Sequence, residues 1–348
     1  MPNITEIDSF LTTINTIQTN FSRYGYLIIF ILGNIGSLLN ILVLTRPNYL
    51  RNSCSSYILA STLPNLLIIN IVILFRILAT FDFDLTSKSR FFCKFQWYIS
   101  HSMTLLSRTY ILLACIDRWA MTSTIVRRRA FARMKISMTI IPMAGIIWSL
   151  VSIHVLTGQK RIKGQCVLGS NSYAIFFNVY NTVLVGLVIP ILMTGFSLVT
   201  IRNVKQLQNR VNHRAQIIHT IIINRANHPS AVNKKSYDYQ LLFMVLVQIF
   251  VYIITNFPFV IHSIYVTITI TCSNSSVQLA IENLALSIAY VLVITNFCTT
   301  FYIYILTSAT FRKDLKRLLL HNRFMDHLFG NGHNPQVGPR PNTIGNTR

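Results

Sequence analysis

Residues 93–119 read CKFQWYISHSMTLLSRTYILLACIDRW, an apolar run that ends in the charged pair Asp117 and Arg118. A hydrocarbon core of ~30 Å needs about 20 apolar residues in a helical span, so this run is long enough to cross a bilayer. Six further apolar runs of comparable length lie along the chain. The predicted spans are 24–45, 55–80, 93–119, 136–156, 175–201, 239–270 and 279–307. Barrel strands would alternate with a period of two, whereas these runs are continuously apolar. The sequence therefore predicts an all-α membrane protein with a seven-transmembrane helix bundle.

The chain length of 348 residues accommodates one such bundle and no second folded domain. Hydrophobic residues make up 52% of the chain and charged residues 11%, a composition typical of a polytopic membrane protein. After the seventh span, apolar residues recur at Phe311, Leu315, Leu318 and Leu319, which predicts a short amphipathic helix on the membrane surface. We divide the chain into an extracellular N-terminal tail (1–23), the bundle (24–310), an amphipathic cytoplasmic helix (311–320) and a flexible cytoplasmic tail (321–348).

The formal net charge of +22 is distributed unevenly between the two sides of the bundle. Of the 31 Lys and Arg residues, 22 fall in the loops after spans 1, 3 and 5, at the end of span 3 and in the C-terminal tail. Seven fall on the opposite side. The more basic side should be cytoplasmic, which predicts a multi-pass plasma-membrane protein with its N-terminus outside and its C-terminus inside. Anionic membrane lipid explains this charge better than a nucleic-acid partner does.

Glycosylation acceptors and cysteines agree with this orientation. Sequons begin at Asn3, Asn20 and Asn274, and all three fall on segments that the charge distribution places outside. Cys93 at the start of span 3 and Cys166 in the loop after span 4 lie on the same side, where disulfides persist. We expect these two cysteines to pair and to hold the loop across the mouth of the bundle.

The sequence disfavours enzymes and transporters. It contains no HExxH, GxSxG or P-loop motif and its histidines are scattered, so we expect no enzymatic activity, no cofactor and no metal. Transporters often carry internal repeats and acidic groups within the membrane for ion coupling. Neither feature is evident here, although a transporter remains an alternative.

Several residues stand at spacings that are characteristic of one receptor family. Cys93 and Arg118 are 25 residues apart, and Arg118 follows Asp117 at the end of span 3. Further residues in register are Trp148, Pro190, Pro258 and the pair Tyr304 and Phe311, seven residues apart. With these features the chain resembles the rhodopsin-like (class A) G-protein-coupled receptors over about residues 24–320. Its departures from the family pattern are similar to those of invertebrate peptide-receptor-like members.

The resemblance implies a signalling switch at the cytoplasmic ends of the spans. Its members here would be Asp117, Arg118, Trp119, Asp238 and Tyr304, with Trp119 in place of the family's tyrosine. Asp238 lies 20 residues before Pro258, where many members carry an acid that faces the arginine. An Arg118–Asp238 ion pair would keep span 6 closed until activation opens a site for a heterotrimeric G protein. The alternative is that Asp238 is solvated and makes no pair.

A second group of residues would form the hinges and the polar centre of the bundle. It comprises Asn65, Arg108, Pro190, Asn256 and Pro258. Arg108 lies ten residues before Arg118, about 15 Å along the helix and near mid-membrane. Because the spans offer no carboxylate at that depth, we expect Arg108 to face the bundle and to bind carbonyls, hydroxyls or water. It would serve either as a polar hub that couples ligand to helix movement or as a structural staple.

The chemical class of the ligand is narrowed mainly by features that the sequence lacks. The resemblance argues against a monoamine, since Ser100 replaces the aspartate of amine receptors, and against retinal, since span 7 has no lysine. The candidate ligand-binding residues are Arg76, Gln96, Ser100, His101, His154 and Glu282. This mixed polar and aromatic set favours an extracellular peptide, and Arg76 could bind an acidic group or instead reach the lipid headgroups. Because Asn65 and Asn256 replace the family's aspartate and tryptophan, a seven-helix binder that has lost G-protein coupling remains the main alternative.

Overall fold

The computed structural model describes residues 4–81, 83–162, 165–221, 229–269 and 275–320, and nearly all of them lie in helices. The longer helices are α1 (Ile4–Leu44), α2 (Ser53–Ala79), α3 (Arg90–Thr122), α4 (Met134–Gly158, with a turn at Ser152), α5 (Asn171–Asn181, Thr182–Val188 and Ile189–Ile221 in succession), α6 (Pro229–Thr269), α7 (Ser276–Thr307) and α8 (Ala309–Leu320). Short helical turns occupy Pro47–Leu50, Leu85–Lys88, Val126–Arg129 and Ala130–Ala132. Strands β1 (Gln159–Ile162) and β2 (Gln165–Leu168) form an antiparallel hairpin after α4.

Within the described residues, α1 to α7 are seven helices that are long and apolar enough to cross a membrane. Each predicted span lies within one of these helices or extends at most one residue beyond its end. Large apolar side chains such as Ile146, Leu150 and Ile191 are more than 60% exposed on the outer surface. Such extensive apolar exposure indicates contact with hydrocarbon rather than water. The fold is therefore that of a multi-pass membrane protein, as predicted.

Helix α3 lies at the centre of the bundle and α4 at its edge. The most apolar stretch of α3 is 56% buried, whereas that of α4 is 17% buried. Helix α3 packs against α2, α4 and α5. Its buried polar residues consequently face other helices and can interact with several of them at once.

Helices α1 and α7 approach each other closely through glycines on α1. A Cβ atom at Gly33 would lie 2.7 Å from Ile69 Cδ1 and 3.1 Å from Cys298 Cβ. A Cβ atom at Gly36 would lie 3.3 Å from Phe301 Cβ. Small residues allow this approach, which is a common basis of helix packing in membranes.

We predict that Gly33→Val destabilises the protein by about 1–3 kcal/mol, because the added methyl groups overpack the interface of α1 with α2 and α7. Gly195→Val is the matched control, since a Cβ atom at Gly195 meets no atom within 4 Å. The thermal unfolding midpoint of the purified full-length chain in detergent measures the difference. Equal midpoints for the two variants would show that the interface does not depend on close approach at Gly33.

Wide π-helical turns interrupt two of the spanning helices. They cover Ile68–Ile73 in α2 and Thr182–Val188 in α5. In α5 the turn directly precedes Pro190, whose ring would clash with the carbonyl of Gly186 in a regular α-helix. The wide turn includes Gly186, so this stretch lacks the regular α-helical pattern in which the clash would arise. Such turns occur frequently at functional sites.

The chain begins its helix earlier than the first span requires. Helix α1 starts at Ile4, so residues 4–23 of the predicted N-terminal tail are helical. This stretch contains no Gly or Pro, and its polar character does not oppose a helix outside the apolar span. The predicted tail at 321–348 lies outside the described residues.

Helix α8 is fixed to the bundle by one buried acid and one buried ring. Asp314 accepts a hydrogen bond from the Tyr49 hydroxyl at 3.0 Å and lies 3.5 Å from the Arg46 guanidinium. Phe311 is fully buried, with ring centroids 5.9 Å from Tyr304 and 6.5 Å from Tyr49. The sequence predicted an amphipathic helix here, and the structure adds that an ion pair and an aromatic cluster hold it against the end of α1.

Candidate functional site

A disulfide marks one end of the bundle, which we call the disulfide end. Cys93 at the start of α3 pairs with Cys166 of β2, as the sequence predicted, with 5.6 Å between the Cα atoms. Arg161 of β1 lies opposite Cys166 in the hairpin. The hairpin is thereby fixed to α3, and Leu168 of β2 reaches the wall of a large cavity. The opposite end, where α3 carries Arg118, we call the Arg118 end.

The large cavity has a volume of about 550 Å³ and lies between α2, α3, α5, α6 and α7. Four of the predicted ligand-binding residues line it, and so does one predicted hinge residue. They are Arg76, Gln96, Ser100, His101 and Asn256. The structure therefore brings together residues that are far apart in the sequence. A second cavity of about 430 Å³ adjoins it and shares Arg76 and Gln96.

The other two ligand-binding candidates are not among the residues that line either cavity. His154 lies behind His101, with 5.6 Å between the ring centroids, and its Nδ1 is 3.0 Å from the Tyr173 hydroxyl. Glu282 accepts hydrogen bonds from Tyr265 at 2.8 Å and Gln278 at 3.1 Å. The sequence indicated the depth of both residues in the bundle but not the direction in which they point.

Arg76 lies where the two cavities meet. Its guanidinium carbon is 4.2 Å from the centroid of the Tyr290 ring, a cation–π contact between α2 and α7. Neither Asp nor Glu is among the residues that line the large cavity. The cavity wall therefore carries a fixed positive charge held in place by an aromatic ring.

Arg108 lies deep in the bundle with 3% of its surface exposed. One of its terminal nitrogens donates a hydrogen bond to Asn296 Oδ1. Its guanidinium carbon is also 4.4 Å from the centroids of both the Tyr252 and the Phe297 rings. The amide oxygen agrees with the expected polar partner, whereas no sequence signal indicated the two rings. Arg108 thus connects α3 with α6 and α7.

Further buried hydrogen bonds join α6 to α7 between Arg108 and the Arg118 end. Asn296 lies 3.4 Å from the Thr255 hydroxyl, and Gln248 lies 3.3 Å from the Thr300 hydroxyl. Tyr304 is fully buried and donates to Gln248 Oε1 at 2.9 Å. Sequence reasoning identified Tyr304 and missed Gln248, a polar residue in an otherwise apolar stretch of α6.

The other predicted residues of the bundle centre make local contacts. Asn65 accepts a hydrogen bond from the Ser107 hydroxyl at 2.6 Å, which joins α2 to α3. Asn256 donates to the backbone carbonyl of Tyr252 at 2.8 Å, within α6. Pro258 lies two residues later in the same helix.

Arg118 is held in a buried network at its own end of the bundle. One of its nitrogens lies 2.7 Å from Asp117 Oδ2 and 3.0 Å from Asn52 Oδ1. Asp117 in turn accepts from the Ser53 hydroxyl at 2.5 Å. Asn52 also caps α2 by accepting from the backbone N–H of Cys54 at 3.0 Å. The arginine is therefore attached to the start of α2, a contact that the sequence did not indicate.

Other residues of the predicted switch are only partly described. The Trp119 ring lies 5.3 Å from the Phe196 ring of α5 and from the guanidinium carbon of Arg128. The side chain of Asp238 lies outside the described residues, so its pairing with Arg118 stays a prediction.

Only one of the three predicted glycosylation sites falls within the described residues. Asn20 lies on an exposed part of α1, while Asn3 and Asn274 lie outside the described residues. Among the residues that the structure describes, no cluster of three or more His, Cys, Asp or Glu is arranged to hold a metal ion.

A scan against protein-family models finds no match to this chain, and a search of curated proteins finds none either. Its function is therefore inferred from the residues and their geometry.

We predict that Arg108 and Phe297 are energetically coupled by about 0.5–2 kcal/mol, the range of a cation–π contact from exposed to desolvated sites. The cycle Arg108→Met, Phe297→Leu and the double variant measures this term through thermal unfolding, whichever sign the single changes have.

The control cycle pairs Arg108→Met with Phe301→Leu. Phe301 is buried on the same helix as Phe297, but its ring packs on Phe311. The effects in this cycle should add to within about 0.5 kcal/mol. Additivity in the Phe297 cycle as well would contradict the contact.

Proposed function

We propose that this chain is a G-protein-coupled receptor that binds an extracellular ligand at the disulfide end and activates a heterotrimeric G protein at the Arg118 end. In this proposal the disulfide end faces outside the cell and the Arg118 end faces the cytoplasm of a plasma-membrane protein. The charge distribution of the loops supports that orientation, because the loops near Arg118 are the more basic ones.

The observation that carries the proposal is a series of buried polar contacts that lie between the two ends. The cavity is lined by Phe297 of α7, whose ring contacts Arg108. It is also lined by Asn256 of α6, which lies close to that contact. Arg108 donates to Asn296, and nearer the Arg118 end a separate hydrogen bond joins Tyr304 of α7 to Gln248 of α6. A ligand that moves α6 or α7 at the cavity would alter these two hydrogen bonds, since each joins α6 or α7 to a neighbouring helix.

The described arrangement fits a resting state in which Arg118 is withheld from a partner. Arg118 is 3% exposed and paired with Asp117, itself 4% exposed. Activation would require a ligand that binds an open state of the bundle more tightly than this one and so shifts the population toward it. In the open state α6 would move away from α3 and expose Arg118 to the G protein.

The shape of the site favours a peptide over a smaller ligand. Cavities of about 300–1,000 Å³ suit drug-sized ligands, and the large cavity alone is within that range. The adjoining cavity of about 430 Å³ extends it along the mouth of the bundle toward Gln165 and Cys166 of the hairpin. Together the two cavities offer room for several consecutive residues of a peptide.

A binder that no longer couples to G proteins is the second candidate. It is favoured by Asn256, whose amide is satisfied within its own helix by the Tyr252 carbonyl. It is also favoured by Thr300 and Phe301, which stand in place of the family's Asn-Pro pair in α7. Such a protein would bind its ligand without promoting nucleotide exchange.

We predict that Arg118→Ala lowers nucleotide exchange on the G protein by about tenfold or more, which corresponds to ~1.4 kcal/mol of lost interaction. Exchange is measured without agonist and with a peptide library, in membranes that contain the full chain. Arg161→Ala, an exposed arginine of the hairpin, is the control and should retain exchange.

Surface labelling shows whether each variant folds, because removal of Arg118 leaves Asp117 buried without its cation. Arg118→Lys retains the charge and serves as the milder variant. Exchange that persists in a correctly expressed Arg118→Ala protein would remove the proposed role of this arginine.

A further inference from the structure

Three buried nitrogen atoms in the wall of the large cavity have no hydrogen-bond partner among the described residues. They are Nε of Arg76, Nε2 of His101 and Nε2 of His262, from α2, α3 and α6. Buried polar atoms in proteins are nearly always hydrogen bonded. Each of the three belongs to a residue that lines the cavity, so an occupant that shifts these side chains can supply the missing partners.

The charge of the wall determines which kind of ligand this is. Arg76 is permanently protonated, and neither Asp nor Glu is among the residues that line the large cavity. Asp84 lines the adjoining cavity, but it caps the following turn by accepting from the Thr86 backbone N–H at 2.8 Å and its hydroxyl at 2.6 Å. The wall of the large cavity thus carries a positive charge with no acid of its own, while Asp84 retains its negative charge at the adjoining cavity.

The orientation of Arg76 suits a planar anion. Its guanidinium carbon lies 4.2 Å from the centroid of the Tyr290 ring, and Tyr290 also takes one of its hydrogen bonds. A guanidinium has five N–H donors, so an edge remains for another partner. A guanidinium edge binds a carboxylate through two parallel hydrogen bonds, and these charge-assisted bonds are stronger than neutral ones. Stacking on Tyr290 fixes this edge before a ligand arrives, which lowers the entropic cost of binding.

We propose that the ligand carries a carboxylate that binds Arg76, while His101 and His262 form hydrogen bonds with further polar groups of the same ligand. The carboxylate is either the free C-terminus of a peptide or an acidic side chain. This inference rests on the proposed function in one respect: it takes the ligand that occupies the cavity to be the ligand that causes signalling.

The test uses four pools of synthetic peptides and the purified full-length chain in detergent. The pools contain matched sequences with or without Asp and Glu, each made with a free or an amidated C-terminus. The pools that carry a carboxylate should raise the thermal unfolding midpoint, because a ligand that binds the folded state stabilises it. The amidated pool without acids should leave it unchanged. The active pools identify the source of the carboxylate.

Arg76→Gln should raise the peptide concentration for half-maximal stabilisation by about tenfold to hundredfold, the loss expected for a charge-assisted pair. Arg76→Lys retains the charge but not the planar edge, so its loss should be smaller. Arg161→Gln, an arginine of the same end outside both cavities, should match the unmodified chain. The midpoint of each variant without peptide shows whether it folds.

Three results would overturn the inference: equal stabilisation by the neutral pool, no stabilisation by any pool, or full stabilisation of a folded Arg76→Gln variant. The binding measurement needs no G protein, so it separates this inference from the proposed function. Carboxylate-dependent binding without nucleotide exchange would contradict only the proposed function. Exchange driven by the neutral pool would contradict only the carboxylate.

Discussion

The burial of one positive charge, Arg108, is the constraint on which the centre of this bundle depends. A central arginine in a membrane helix costs at least ~2.5 kcal/mol. Here its partners are Asn296 and the faces of Tyr252 and Phe297, contributed by α6 and α7. Each desolvated cation–π contact returns on the order of 1–2 kcal/mol and so offsets part of that cost. Nε and one terminal nitrogen of Arg108 have no hydrogen-bond partner among the described residues. Because the charge has these partners only when α3, α6 and α7 are together, it specifies how the three helices meet.

Under the proposed function, the same arrangement would let the bundle hold one state and still change to another when a ligand binds. The Arg108 contacts are few and discrete, as are the Gln248–Tyr304 and Arg118–Asp117 hydrogen bonds nearer the other end. Apolar packing between membrane helices is largely non-directional. It also discriminates weakly between arrangements, because lipid tails are as apolar as the side chains that they replace. Polar contacts therefore decide which arrangement of α6 is preferred. A ligand at the cavity needs only to favour a different set of such contacts.

The sequence allowed the helices to be located but not the partners of their polar residues. Segment length and loop charge were enough to predict all seven spans and the Cys93–Cys166 pair. The bilayer determines both signals, since it sets the length of a span and the side on which each loop lies. Rotation about the helix axis is set by packing, so the sequence could not separate His101, which lines the cavity, from His154 behind it. The contact between Arg118 and Asn52 was also missed, because it depends on a turn between α1 and α2.

The most direct test of the account is the distance between the Arg118 ends of α3 and α6. Spin labels at Met121→Cys and Phe243→Cys, two exposed positions, would report it by pulsed electron paramagnetic resonance. If Arg108 keeps α6 close to α3, Arg108→Met should broaden the distance distribution and shift it to longer values. An unchanged distribution in that variant would contradict the claim that the buried arginine couples the two ends of the bundle.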